Sequence, residues 1–173
     1  KRVCFSGPER VNPYDMPLDV ERLVSSKEAY LQQSLSSVTQ VIQGGQHHLV
    51  IYPAPLYSET PMTEKILSRY KLNLRELGLA IRNFLGELVM RILDKTSTRN
   101  LILTGGDTAI GVCEKLGIHQ LIIVEELLPG IPLSLGHLNT QGEVNIVTKA
   151  GGFGDENALY LVFEKLMDQR RPR

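Results

Sequence analysis

Past Asp94 the sequence alternates between strand-sized apolar blocks and helix-period stretches, and that alternation narrows the fold class at once. Leu101-Ile102-Leu103 predicts a strand, residues 107–116 a helix ended by Gly117, and residues 121–124 a second strand. Val144-Asn145-Ile146-Val147 predicts a third. A last helix carries Leu159, Val162, Phe163, Leu166 and Met167 on one face. Short strands apolar along their whole length are buried on both sides. The pattern therefore predicts an α/β fold, a three-layer α/β/α sandwich around a parallel or mixed sheet.

The first half is read the same way. Residues 1–25 are turn-rich and predict one or two short extended segments. Tyr30, Leu31, Leu35, Val38 and Ile42 recur at spacings of three and four, which predicts a helix from a Ser26 cap to Gly44-Gly45. Leu49–Tyr52 reads as a compact buried strand stopped by Pro53, followed by a loop to Pro61. Leu74, Leu77, Ile81, Phe84, Leu85, Leu88 and Ile92 form the apolar stripe of a core helix, with Arg75, Arg82, Glu87 and Arg91 turned away.

The 173 residues suit a single domain spanning 1–173. Lys and Arg together number 19, as do Asp and Glu, so there is no basic excess of the kind a nucleic-acid surface shows. No apolar run approaches the roughly 20 residues of a membrane span, and the first residues lack a signal peptide's apolar stretch. Cys4 and Cys113 have no metal-like spacing and read as reduced thiols, which points to the cytoplasm. The missing initiator Met suggests a piece of a longer chain.

Chemistry concentrates at two glycine clusters, each directly after a predicted strand. The first is Thr104-Gly105-Gly106-Asp107-Thr108. Two glycines let a ligand approach the backbone, and the helix that follows offers unpaired N–H groups to phosphate. Thr108 adds a hydroxyl; Asp107 either caps the helix or holds Mg²⁺ through water. A plain tight turn with an Asp cap explains the same residues. The second cluster is Thr148-Lys149-Ala150-Gly151-Gly152-Phe153-Gly154-Asp155. Here Lys149 is available to neutralise phosphate, and Gly151 and Gly152 to present N–H groups. Phe153 reads as packed under the loop and Asp155 as the cap of the last helix. Neither cluster is a P-loop or a dinucleotide fingerprint.

Other candidates are weaker. His47-His48 open a strand, His119 and His137 lack ligand partners, and no metal site is supported. Glu125-Glu126 read as solvated charges or as a contact to a ribose hydroxyl. Cys113 reads as a small core residue, and Ser6-Gly7 as a turn or a third phosphate contact. No catalytic residue is assigned.

Three ordered segments carry a family resemblance: Leu101 to Ala109 (LILTGGDTA), Glu126 to Leu133 (ELLPGIPL) and Val147 to Asp155 (VTKAGGFGD). Together they resemble the C-terminal half of the four-carbon acid sugar kinases. The resemblance implies an ATP-binding domain, paired with an N-terminal domain that holds threonate, erythronate or an oxo-tetronate. It implies ATP contacts from Gly105, Gly106, Asp107, Thr108 and Gly151, with Mg²⁺ accompanying the nucleotide. The family's Ser-Gly-Ser motif is incomplete here, since Pro8 follows Ser6-Gly7. The expected partners are then a small acid sugar, no nucleic acid, no membrane, and a possible second copy of the chain. A non-catalytic nucleotide module, or a molybdopterin-type phosphate binder, remains the alternative.

Overall fold

The computed structural model describes residues 13–46, 48–54, 61–139, 142–155 and 157–168. Ser6-Gly7, Cys4, His47 and the C-terminal arginines therefore lie outside the described residues. Two parallel strands, β1 (Tyr14–Asp19) and β2 (Leu49–Ala54), pair in the first half. Between them run α1 (Val20–Ser25) and α2 (Lys27–Gln43), and after them α3 (Pro61–Tyr70) and α4 (Leu74–Lys95). Leu18, Leu23, Leu31, Val38, Phe84 and Leu88 build the first core there.

The second half alternates as the sequence predicts. It holds β3 (Asn100–Thr104), α5 (Gly106–Lys115), β4 (Leu121–Leu128), β5 (Ile131–Leu138), β6 (Gly142–Lys149) and α6 (Ala158–Asp168). The sheet order is β3-β6-β5-β4, parallel between β3 and β6 and antiparallel elsewhere, so the sheet is mixed. Leu93 of α4, Val112 of α5 and Leu116 at the end of α5 pack with Leu103, Val144 and Ile146 on one face. Ala158, Val162 and Leu166 of α6 pack with Leu133 and Val147 on the other. Strand alternation sends odd and even positions to opposite faces, and each face receives a helix layer. That is the α/β/α sandwich.

Several elements depart from the expectation. β2 runs on through Pro53 to Ala54 and is only half-buried; among the described residues it pairs on one side alone, where a proline's missing N–H is tolerated. Residues 61–70, expected only to follow a loop, form α3, and residues 20–25 form α1. Ser26 occupies the N-cap of α2 but makes no side-chain cap; its hydroxyl donates to the Arg22 carbonyl. The cap chemistry appears instead on α4, where Asn73 and Glu76 form a capping box.

Arg75 of α4 is exposed, but the other polar residues of that face meet neighbouring helices. Arg82 reaches Glu114 of α5, while Glu87 and Arg91 bond Lys27 and Glu28 of α2, since helices flank α4 on both sides. The close approach of α4 to α5 depends on Gly86, where a Cβ would lie 2.7 Å from the Gly111 carbonyl oxygen. Ile122, Ile123 and Val124 are exposed rather than buried: among the described residues β4 is the last strand of the sheet, and neither of its faces is covered there.

Candidate functional site

The two glycine clusters leave the carboxyl ends of neighbouring parallel strands. Thr104 of β3 pairs with Lys149 of β6, and the next residue, Gly105, donates its N–H to the Lys149 carbonyl at 2.9 Å. The chain then turns from β3 into α5 on one face and from β6 into α6 on the other. Adjacent parallel strands whose connections part to opposite faces leave a crevice at their carboxyl ends, the usual ligand position in open α/β sheets.

At the first corner Gly105 is the N-cap of α5, with φ +93° and ψ 131°, and no side chain caps the helix. The capping role considered for Asp107 is thereby corrected: Asp107 lies inside the first turn, exposed, and Gly105 has taken the cap position. The first intrahelical bond runs from the Ala109 N–H to the Gly105 carbonyl. The N–H groups of Gly106, Asp107 and Thr108 therefore have no partner within the helix. The Thr108 hydroxyl lies beside Gly105, 3.7 Å from where a Cβ would stand. Gly106 has open space where its Cβ would be.

At the second corner the Ala150 carbonyl accepts the Phe153 N–H at 3.1 Å, closing a turn around Gly151 and Gly152. Both glycines are exposed, and an added Cβ on either would meet nothing within 4 Å. Lys149 is only 8 % exposed, and its ammonium donates to the carbonyls of Ala150 at 3.1 Å and Gly151 at 3.3 Å. Asp155 accepts the Asn157 N–H at 2.9 Å in a turn ahead of α6; the Leu161 N–H bonds the Asn157 carbonyl, so Asn157 and not Asp155 stands at the cap position expected for Asp155.

Phe153 is not under the loop. Its ring rests on Gly130 in the Pro129-Gly130 turn between β4 and β5 and is 48 % exposed. Gly130, at φ +70°, offers that ring a bare α-carbon. Glu126 accepts the Gly130 N–H at 2.7 Å, so it holds the hairpin turn.

The remaining candidates lie elsewhere. His48 meets the edge of Phe163, and His137 stands 3.5 Å from Glu143 across β5 and β6. Cys113 is half-buried against the second core, where burial raises its thiol pKa. Among the described residues no three His, Cys, Asp or Glu side chains group as a metal site, and no helix is long and apolar enough to cross a membrane. The sequence reading missed the β4–β5 hairpin that supports Phe153, although Pro129-Gly130 between apolar pairs is a hairpin signal.

Residues 9–159 match the family described as "Nucleotide-binding C-terminal domain". The chain belongs to the nucleotide-binding C-terminal domains of the four-carbon acid sugar kinase family. It is 25% identical over 145 residues to D-threonate kinase of Salmonella typhimurium, covering 82% of this chain and 34% of that one. Over 76 residues it is 40% identical to D-threonate kinase of Cupriavidus necator, covering 43% and 18%. A 3-oxo-isoapionate kinase of Paraburkholderia graminis is 25% identical over 153 residues, covering 85% and 32%.

Among solved structures, a Bordetella bronchiseptica domain of unknown function, a domain-swapped dimer with bound citrate, superposes with a TM-score of 0.70 at 20% identity. That likeness covers 93% of this chain and 36% of that one. A Haemophilus influenzae protein gives a TM-score of 0.71 at 21% identity, covering 88% and 34%. The domain thus spans about a third of the length of the first relative it matches.

Proposed function

We propose that the two glycine corners hold the phosphates of ATP, and that the domain is the nucleotide half of a kinase for a four-carbon acid sugar. The observation that carries this reading is the 2.9 Å bond from the Gly105 N–H to the Lys149 carbonyl, which ties both corners into one crevice. The amides of Gly106, Asp107 and Thr108, at the positive end of α5, suit the negative charge that phosphate carries. Gly151 and Gly152 complete the cradle from the other strand. Their residue types need no side chain removed for the protein's own packing, so the space above them is left for a ligand.

Mg²⁺ fits the same picture as a nucleotide complex held by phosphate oxygens and water, with Asp107 the carboxylate in the first corner. When bound, the metal neutralises charge on the phosphates. The kinase names of the relatives support an acid sugar as the acceptor, and the reading assigns that sugar, of threonate, erythronate or oxo-tetronate type, to an N-terminal domain. The domain-swapped dimer of the Bordetella protein makes a homo-oligomer the assembly expected of the whole enzyme.

Titration calorimetry tests the reading. ADP is expected to bind the protein, Mg²⁺ alone to give no heat, and Gly106→Val to weaken ADP at least tenfold while melting unchanged. An unaltered ADP affinity in folded Gly106→Val would remove the first corner from the site.

A further inference from the structure

A lysine ammonium is seldom buried unless a carboxylate accompanies it. Lys149 is 8 % exposed and forms no ion pair among the described residues; its hydrogen bonds go to two consecutive main-chain carbonyls, Ala150 and Gly151. A trans peptide points its C=O and N–H in opposite directions. Each carbonyl drawn toward Nζ therefore turns the next amide away from it, and those amides belong to Gly151 and Gly152. The turn closed by Phe153 on Ala150 fixes the same orientation from the other side. Two successive N–H groups facing outward form a nest for an anion. The lysine stem lies beneath: its Cε would be 3.7 Å from a Cβ on Gly154, whose φ of +82° brings the chain back over it.

We propose that Lys149 is a positioning residue, which aims the Gly151 and Gly152 amides at an anionic phosphate from behind and does not itself touch the ligand. The inference rests on the phosphate reading above and assigns one of its residues a different task from direct charge neutralisation.

The test is a titration of the ¹⁵N-labelled protein with ADP, following backbone amides and the lysine ammonium signals by NMR. The amides of Gly106, Asp107, Gly151 and Gly152 are expected to shift, while the Lys149 ammonium holds its position. In Lys149→Met the Gly151 and Gly152 responses are expected to vanish, those of Gly106 and Asp107 to persist, and ADP affinity to fall about tenfold or more. An ammonium signal that moves with the amides makes Lys149 a direct ligand and overturns the proposal alone. So does a folded Lys149→Met whose Gly151 and Gly152 amides still respond. Silence at all four wild-type amides would instead remove the phosphate reading itself. The wild-type titration decides even where the variant fails to fold.

Discussion

Gly105 and Gly106 stand side by side at the first corner, yet the backbone asks for glycine at only one of them. Gly105, at φ +93° and ψ 131°, occupies a region that side chains rarely enter, so Gly105→Ala is expected to cost about 1–3 kcal/mol of stability. Gly106 has open space and an ordinary φ, and Gly106→Ala is expected to change stability by no more than about 1 kcal/mol. Urea unfolding of the two variants measures the difference; equal losses would mean that Gly105 is not held in that conformation. The presence of both corners was legible, because glycine pairs after apolar blocks stand out in a sequence. The burial of Lys149 was not. Beside three glycines a lysine reads as a surface charge, and the fold of the loop, with Gly154 returning over the stem, is what leaves it buried. Asp107 likewise reads as a cap until the φ of Gly105 shows which residue begins the helix.

Elements with strong periodicity were legible: α2, α4, α5, α6 and the strands β3 and β6 lie where spacing places them, within a few residues. β5 goes unread because Pro132 and Gly136 interrupt its apolar pattern, and α3 because its stripe, Met62, Ile66 and Tyr70, spans only ten residues beside the more prominent α4. Position in the sheet is a further limit. Ile122, Ile123 and Val124 look like a buried strand, and only the strand order makes them an edge. The polar face of α4 hides its role in the same way, since ion pairs to α2 need both helices in place. There Arg91 bonding lowers the Glu28 pKa below its ordinary 4.5, and Lys27 bonding does the same for Glu87. Folded carboxyls with lowered pKa add stability above the unfolded value and lose it as pH falls through the folded one. Arg91→Met is therefore expected to be less stable than the wild type at pH 7, by a gap that narrows as the pH falls below the ordinary carboxyl value of 4.5, in denaturant titrations along that range. The gap is small, because Glu28 is solvent-exposed and such pairs are screened. A gap that persisted undiminished in acid would assign the loss to packing of the arginine stem.

At the scale of the whole molecule, the alternation after Asp94 was enough to fix the fold class, while the order β3-β6-β5-β4 came from crossovers that no local pattern records. That order matters for the proposed site, because it sets the two corners together at one end of the sheet with Gly106, Gly151 and Gly152 open to solvent. Phosphoryl transfer draws its rate from an acceptor hydroxyl held in line and from charge stabilised away from water. Two clefts of about 190 and 360 Å³ lie elsewhere, one lined by Leu93, Lys115 and Leu138, the other by Leu18, Ala54 and Ile66. Neither contains a residue of either glycine corner. Apart from Lys149, whose ammonium is already bonded to its own loop, the residues of the two corners include no Lys or Arg suited to a sugar carboxylate. On the function proposed above, the acceptor site belongs to another domain, a reading supported by this chain's covering 34% of a D-threonate kinase. The expected outcome is that residues 1–173 bind ADP but give only background ADP release with threonate, erythronate or their oxo derivatives. A coupled kinase assay on this domain, beside one on a two-domain protein, measures it. Acid-sugar-dependent turnover by the domain alone would place the acceptor pocket within it and make the open corners a complete active centre.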